Sequence, residues 1–131
     1  MTGYSGKPLA EKLGIKPNAN VTVINAPPNY RKLLGKLPAG VTFSDGSEFV
    51  HVFAKRRGDL ERHLSILRKN VVDTGTVWVS WPKKTSGVAT DITEDTIRAV
   101  ALPLGFVDVK VCAVNETWSG LKLMIRKENR K

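Results

Sequence analysis

Cysteine is almost absent from this chain. Cys112 is the only one, so no intramolecular disulfide can form and no cysteine-based metal site is expected. The two histidines, His51 and His63, are not at metal-ligand spacing and have no implied carboxylate or cysteine partner, so no metal is expected. No apolar run approaches the ~20 residues that a membrane-spanning helix needs. The first eight residues, Met1 to Pro8, contain no apolar core of a signal peptide, and these absences together point to the cytoplasm and away from a membrane. Acidic residues are scarce: 12 stand against 21 Lys and Arg, for a net charge of +9. That excess favours an anionic partner such as a nucleic acid, a phosphorylated metabolite or an acidic protein, and it equally fits a solvated basic surface that keeps the protein soluble. Catalytic signatures are missing too. A hydrolase needs a nucleophile with a base in reach, but neither Ser80 nor Ser86 lies in a glycine-flanked elbow. Cys112 falls mid-strand, where it reads as a small buried apolar residue. No catalytic residue is assigned.

What is present describes an ordinary globular domain. The 131 residues suffice for one domain with a real core, and 41% hydrophobic with 25% charged residues sets the chain apart from disordered sequences. Helix and strand signals alternate. Pro8–Leu13 reads as a short helix closed by Gly14, and Val21–Ile24 as a strand broken by Asn25-Ala-Pro-Pro28. Asn29–Leu34 reads as a second short helix closed by Gly35. Val41–Phe43 is a weak strand before the turn-like Ser44-Asp-Gly-Ser47. Phe49–Ala54 is almost wholly apolar, as expected of a strand buried on both faces in a parallel sheet. Asp59–Asn70 is the clearest amphipathic helix, with Leu60, Leu64 and Leu67 on one stripe, Asp59 as its expected cap and basic residues in its last turn.

Thr76–Trp81 is rich in β-branched and aromatic residues and stops at Pro82, which lacks a backbone donor. The next helix starts at Thr93, with Ile92 and Ile97 as a hydrophobic staple and Glu94 and Asp95 in the first turn. Its apolar stripe is Ile97, Val100, Ala101 and Leu104, and Pro103 is expected to end or distort the last turn. Phe106–Val114 and Leu121–Arg126 are strand-like runs separated by only about six residues. That gap cannot hold a crossover helix, so the two runs are expected to pair as a hairpin. The fold class expected is α/β: a three-layer sandwich over residues 1–131, with a mostly parallel sheet of about six strands in the order 2-1-3-4-6-5 and an antiparallel last strand. Residues 1–18 form an arm with its short helix, and the basic tail 127–131 is expected to fray.

This order of elements resembles the Rossmann-like fold of the class I methyltransferases, which end in a helix, a strand and an antiparallel hairpin strand. The phrase Asn70-Val-Val-Asp-Thr-Gly75 before Thr76–Ser80 resembles their turn before the fifth strand. More closely, Met1 to Pro17, Val79-Ser-Trp-Pro-Lys-Lys84, Val88-Ala-Thr-Asp91, Val107 to Val114 and Thr117-Trp-Ser-Gly-Leu-Lys122 look like a family of small bacterial proteins of unknown function, a resemblance that spans nearly the full length. It implies a fold and no established activity. The methyltransferase pattern also breaks where it binds cofactor. Its first strand leads into a glycine-rich turn, whereas here Asn25-Ala-Pro-Pro-Asn-Tyr30 has no glycine, and prolines remove donors. The acidic residue expected after the second strand has only Asp45 and Glu48 as candidates. S-adenosylmethionine is therefore not expected, and no other cofactor is assigned.

The best-supported site lies at strand ends. Lys55-Arg-Arg57 follows the Phe49 strand and Lys83-Lys84 follows the Thr76 strand. If those strands are parallel neighbours, Lys55, Arg56, Lys83 and Lys84 emerge on one edge, where open α/β sheets bind ligands. Asn25 and Tyr30 are expected to join them, with Ser86 among the loop donors, and Trp81 or Trp118 can stack a base there. The competing readings are a solvated basic rim and core packing for the tryptophans, Trp78 above all. Two functional classes follow: a non-catalytic module binding a phosphorylated ligand, nucleotide or nucleic acid, or an enzyme, either a cryptic methyltransferase or one acting on a phosphorylated substrate.

Overall fold

The computed structural model describes residues 8–46 and 48–130; the expected arm before Pro8, Ser47 in its turn and the terminal Lys131 lie outside the described residues. Six strands form one sheet: β1 (Asn20–Ile24), β2 (Thr42–Phe43), β3 (Phe49–Phe53), β4 (Thr76–Pro82), β5 (Phe106–Ala113) and β6 (Trp118–Ile125). Their order is β2-β1-β3-β4-β6-β5. β1 to β4 run parallel, and β6 is antiparallel to both β4 and β5. The expected order and terminal hairpin are both found. β6 starts at Trp118, three residues earlier than its apolar run suggests, because Pro82 still pairs with Trp118 at the end of the ladder.

Among the described residues four α-helices cover the sheet: α1 (Leu9–Leu13), α2 (Tyr30–Leu34), α3 (Arg57–Asn70) and α4 (Glu94–Leu104). Strand side chains alternate between faces. Val50, Val52, Val77, Val79, Leu121, Leu123 and Ile125 point to one side, where Leu60, Leu64 and Leu67 of α3 and Ile97, Val100 and Ala101 of α4 cover them. Phe49, Phe53 and Trp78 point to the other, against Leu9 and Leu13 of α1 and Tyr30 and Leu34 of α2. The result is three layers. Each fully buried aliphatic side chain contributes about 1.5–3 kcal/mol relative to exposure, so the long amphipathic helices supply most of the first layer's cohesion.

Helix ends show how distant residues position the elements. α4 begins as expected: the Thr93 side chain accepts from the Thr96 amide, and the Thr96 hydroxyl accepts from the Thr93 amide. Pro103 is tolerated in the last turn. Carbonyls at this helix end accept from arginines, Arg68 Nε donating to Leu104 O at 2.9 Å and Arg126 Nη2 to Leu102 O at 3.1 Å. α3 departs from expectation. It starts at Arg57 rather than after Asp59, and Arg56 at its N-cap provides no side-chain cap. The carboxylate of Asp91, 34 residues away in sequence, accepts the Arg57 amide at 2.7 Å instead. After β6, Lys127–Asn129 forms a 3₁₀ turn, with the Arg126 amide donating to Gly105 O at 3.0 Å and Arg130 Nε to Ile125 O at 3.0 Å. Among the described residues no helix is long and apolar enough to cross a membrane.

Candidate functional site

Because β1, β3 and β4 are parallel neighbours, Asn25, Lys55 and Lys83 all leave the sheet at its carboxyl edge. A cleft of about 430 Å³ opens there between Asn25–Pro28 after β1, Phe53–Arg56 after β3, Asp59 in the first turn of α3 and Trp118 at the start of β6. A second, of about 510 Å³, lies on the other side of Lys55 and Arg56 and is walled by Val88–Asp91. Lys55 and Arg56 thus form a ridge between two openings. Both side chains are exposed, and neither takes part in an ion pair among the described residues. The ridge backbone is held firmly. Lys55 O accepts from the Thr90 hydroxyl at 2.7 Å and from the Asp91 amide at 3.2 Å, while Asp91 caps α3 just beyond.

The other expected site residues divide. Asn25 is exposed on the cleft wall, with φ 58°. Its side-chain amide lies 3.4 Å from His63 Nε2 on α3, a half-buried ring whose pKa is lowered by burial and by Arg62 against a smaller opposing pull from Asp59. Lys83 and Lys84 follow β4 at the same edge but line neither cleft. Ser86 is consumed by its own turn, donating to Lys83 O at 2.6 Å and accepting the Val88 amide at 3.2 Å. Tyr30 and Trp81 are 5% and 7% exposed. They belong to the two core layers and are not on the rim, because α2 and β4 turn both rings inward. Trp118 is the one tryptophan in the cleft wall, half-buried, with its ring edge-on to Phe53 at 5.0 Å.

A polar cluster that the sequence did not signal lies beneath the cleft. His51 is completely buried; its Nδ1 is 2.9 Å from the Tyr30 hydroxyl and its Nε2 is 2.7 Å from Ser80 Oγ. The ring also stacks on Phe53 at 4.3 Å. Burial pushes the His51 pKa down to about 3 and the Tyr30 phenol up, so both stay neutral. Serine bonded to histidine has the outline of an activated nucleophile, but Ser80 is 0% exposed and no substrate atom can reach it. The cluster pairs the buried polar atoms of all three side chains. Among the described residues no group of His, Cys, Asp and Glu could hold a metal ion.

The sequence matches no protein-family model and no curated protein. Solved structures do match. A protein from Sulfolobus solfataricus described as a type 11 methyltransferase superposes with a TM-score of 0.58 at 17% identity, over 86% of this chain and 87% of that one. LepI in complex with SAM gives 0.53 at 12% identity, over 90% of this chain and 39% of LepI. A LepI variant with SAH and a substrate analogue gives 0.53 at 11% identity over the same shares. The fold is methyltransferase-like. At these identities the likeness concerns architecture alone.

Within this methyltransferase-like fold, the residues at the cofactor position do not fit S-adenosylmethionine as the resemblance requires. Asn25 takes the left-handed conformation that a glycine would adopt freely, and it carries a side chain into the space that a glycine would leave open. Pro27 and Pro28 offer no amide to a carboxylate or a ribose. Glu48 is at the opposite edge of the sheet, where Oε1 accepts the Asn20 amide at 2.8 Å. Asp45 is exposed beyond β2 and does not line the cleft.

Proposed function

We propose that this protein is a non-catalytic binding module for a phosphorylated small ligand or nucleotide, built on a methyltransferase-like fold. The observation that carries the reading is the ridge of Lys55 and Arg56: two unpaired cations on an anchored backbone, between two clefts at the carboxyl edge of the sheet. Arg56 supplies a planar fork and Lys55 a compact charge for phosphate oxygens. Lys83 and Lys84 add to the field along the same edge and act at longer range. Trp118 and Phe53 offer the apolar wall against which a ring can lie.

The test is a thermal-shift and calorimetry panel of inorganic phosphate, pyrophosphate, nucleotides, sugar phosphates and S-adenosylmethionine. A ligand at about 100 times its Kd stabilises the fold by about 2.7 kcal/mol, a shift of several degrees. Nucleotides or phosphates are expected to give it, and Lys55→Ala/Arg56→Ala is expected to abolish it. Retention of full binding by that double variant refutes the site. A second reading, a methyltransferase, has one observation in its favour, the shared architecture with proteins solved with SAM and SAH. Micromolar binding of S-adenosylmethionine in the same panel selects it over the first.

A further inference from the structure

A second basic surface lies away from the cleft, and only strand register reveals it. Lys110 on β5 and Lys122 on β6 are direct cross-strand partners. Like charges placed opposite each other on one face of an antiparallel pair destabilise it. Lys122 in turn pairs with Trp78 on β4, whose indole donates to Leu13 O at the end of α1 at 2.8 Å. That contact brings the chain just after α1, with Lys16, toward the same face.

The face is open. Lys110 and Lys16 are exposed, and Lys122, Cys112 and Met124 are only half-buried, because α1 and α2 cover the β1–β3–β4 part of this layer. Lys16, Lys83, Lys110 and Lys122 form no ion pair among the described residues. The nearest acid on β5, Asp108, turns to the opposite face, where it accepts from Arg98 Nε at 2.9 Å. Glu11 shares a groove with Lys16. The charges act on one another: the Lys122 pKa is lowered by burial and then by Lys110 and Lys16, and Lys12, Lys110 and Lys83 all pull down the Cys112 thiol, although burial outweighs them.

We propose that this open face of the β5–β6 hairpin, centred on Lys110, Lys122 and Lys16, binds the phosphate backbone of a nucleic acid. Polyphosphate neutralises the lysine pair that the bare fold leaves opposed, and each contact releases counterions. Lysines meet phosphates as point charges, so these contacts go to the backbone and carry no base preference. An acidic peptide is the weaker match. It would be expected to add as a strand to the β5 edge, but a register shift between Asp108 and Lys110 and the lysine itself break that edge.

The test uses the whole chain with labelled single-stranded and duplex oligonucleotides of about 16 nucleotides, read by anisotropy across a salt series. The parent is expected to bind at low salt and to weaken steeply as salt rises. Lys110→Ala/Lys122→Ala is expected to weaken binding at least tenfold and to flatten the salt slope by about 1.4 on the single strand, the value for two lost phosphate contacts. Lys55→Ala/Arg56→Ala is expected to leave oligonucleotide affinity within twofold, so this inference and the cleft reading fail separately. In the parent, bound oligonucleotide is expected to slow labelling of Cys112, the only thiol, which needs no variant. Absence of parent binding, an equal loss in the Lys55/Arg56 variant, unchanged Cys112 labelling, or tighter binding to polyglutamate than to oligonucleotide overturns the proposal.

Discussion

The two faces of the sheet use the same backbone in opposite ways. Toward α3 and α4, β3 and β4 present Val50, Val52, Val77 and Val79, covered by two helices of 14 and 11 residues. Toward α1 and α2, the alternate residues of the same strands are Phe49, His51, Phe53, Trp78 and Ser80, covered by two helices of five residues each. The first face is closed and mostly aliphatic. The second buries a hydrogen-bonded histidine and, among the described residues, leaves the β5–β6 end uncovered by a helix, with Lys110 and Lys122 on it. Stability therefore concentrates on the long-helix side, and the unsatisfied charge that can recruit a partner is left on the short-helix side.

The largest expected effect lies on the closed face. Leu64→Ala, at a site with 0% exposure, is expected to cost about 2–5 kcal/mol in chemical denaturation, since the packed helices cannot collapse onto the void. A cost under about 1 kcal/mol would mean that this layer is looser than its burial indicates.

On the other face, His51→Phe is expected to cost about 1–3 kcal/mol by orphaning the Tyr30 and Ser80 hydroxyls. It also changes the pH response. His51 titrates near 3 when folded and near 6.5 when unfolded. The unfolded chain therefore binds the extra proton, and this contribution is complete above pH 6.5 and lost as pH falls from 6.5 toward 3. The slope from this residue is about 1.4 kcal/mol per pH unit. Denaturation at pH 6, 5 and 4 is expected to approach that slope in the parent and lose this contribution in His51→Phe.

A smaller effect is expected where the two openings meet. Asp91→Ala removes the only side-chain acceptor on the Arg57 amide and is expected to cost about 1 kcal/mol. It also loosens the Val88–Asp91 wall, which faster hydrogen exchange at Arg57 would report. The smallest effect is at the bare end of the sheet. Lys110→Ala is expected to leave the melting temperature unchanged or to raise it slightly, because it relieves a like-charged pair. A drop of several degrees would show that Lys110 has a structural partner.

Much of this was legible in the chain. Near-continuous apolarity at Phe49–Ala54, the 3.6-residue period at Leu60, Leu64 and Leu67, and a gap too short for a helix before β6 are local signals that give a mostly parallel sheet with a terminal hairpin, while the insertion of β6 into the sheet is what the methyltransferase resemblance implies. Lys55 and Arg56 were legible as a basic run after a buried strand. Trp81 was legible only as a choice between core packing and a stacking surface, because an aromatic at a strand end can face either way until its neighbours are in place.

What the sequence by itself determined is the set of elements and their order, because periodicity, turn residues and connection length act over a few residues. The tertiary structure alone decided which distant groups meet. Asp91 reaches α3 across 34 residues, His51 finds Tyr30 and Ser80 on separate elements, and Lys110 faces Lys122 only through hairpin register. Such contacts depend on register and on the faces chosen when layers pack, and a one-residue slip of its strand would send His51, Ser80, Lys110 or Lys122 to the other side of the sheet.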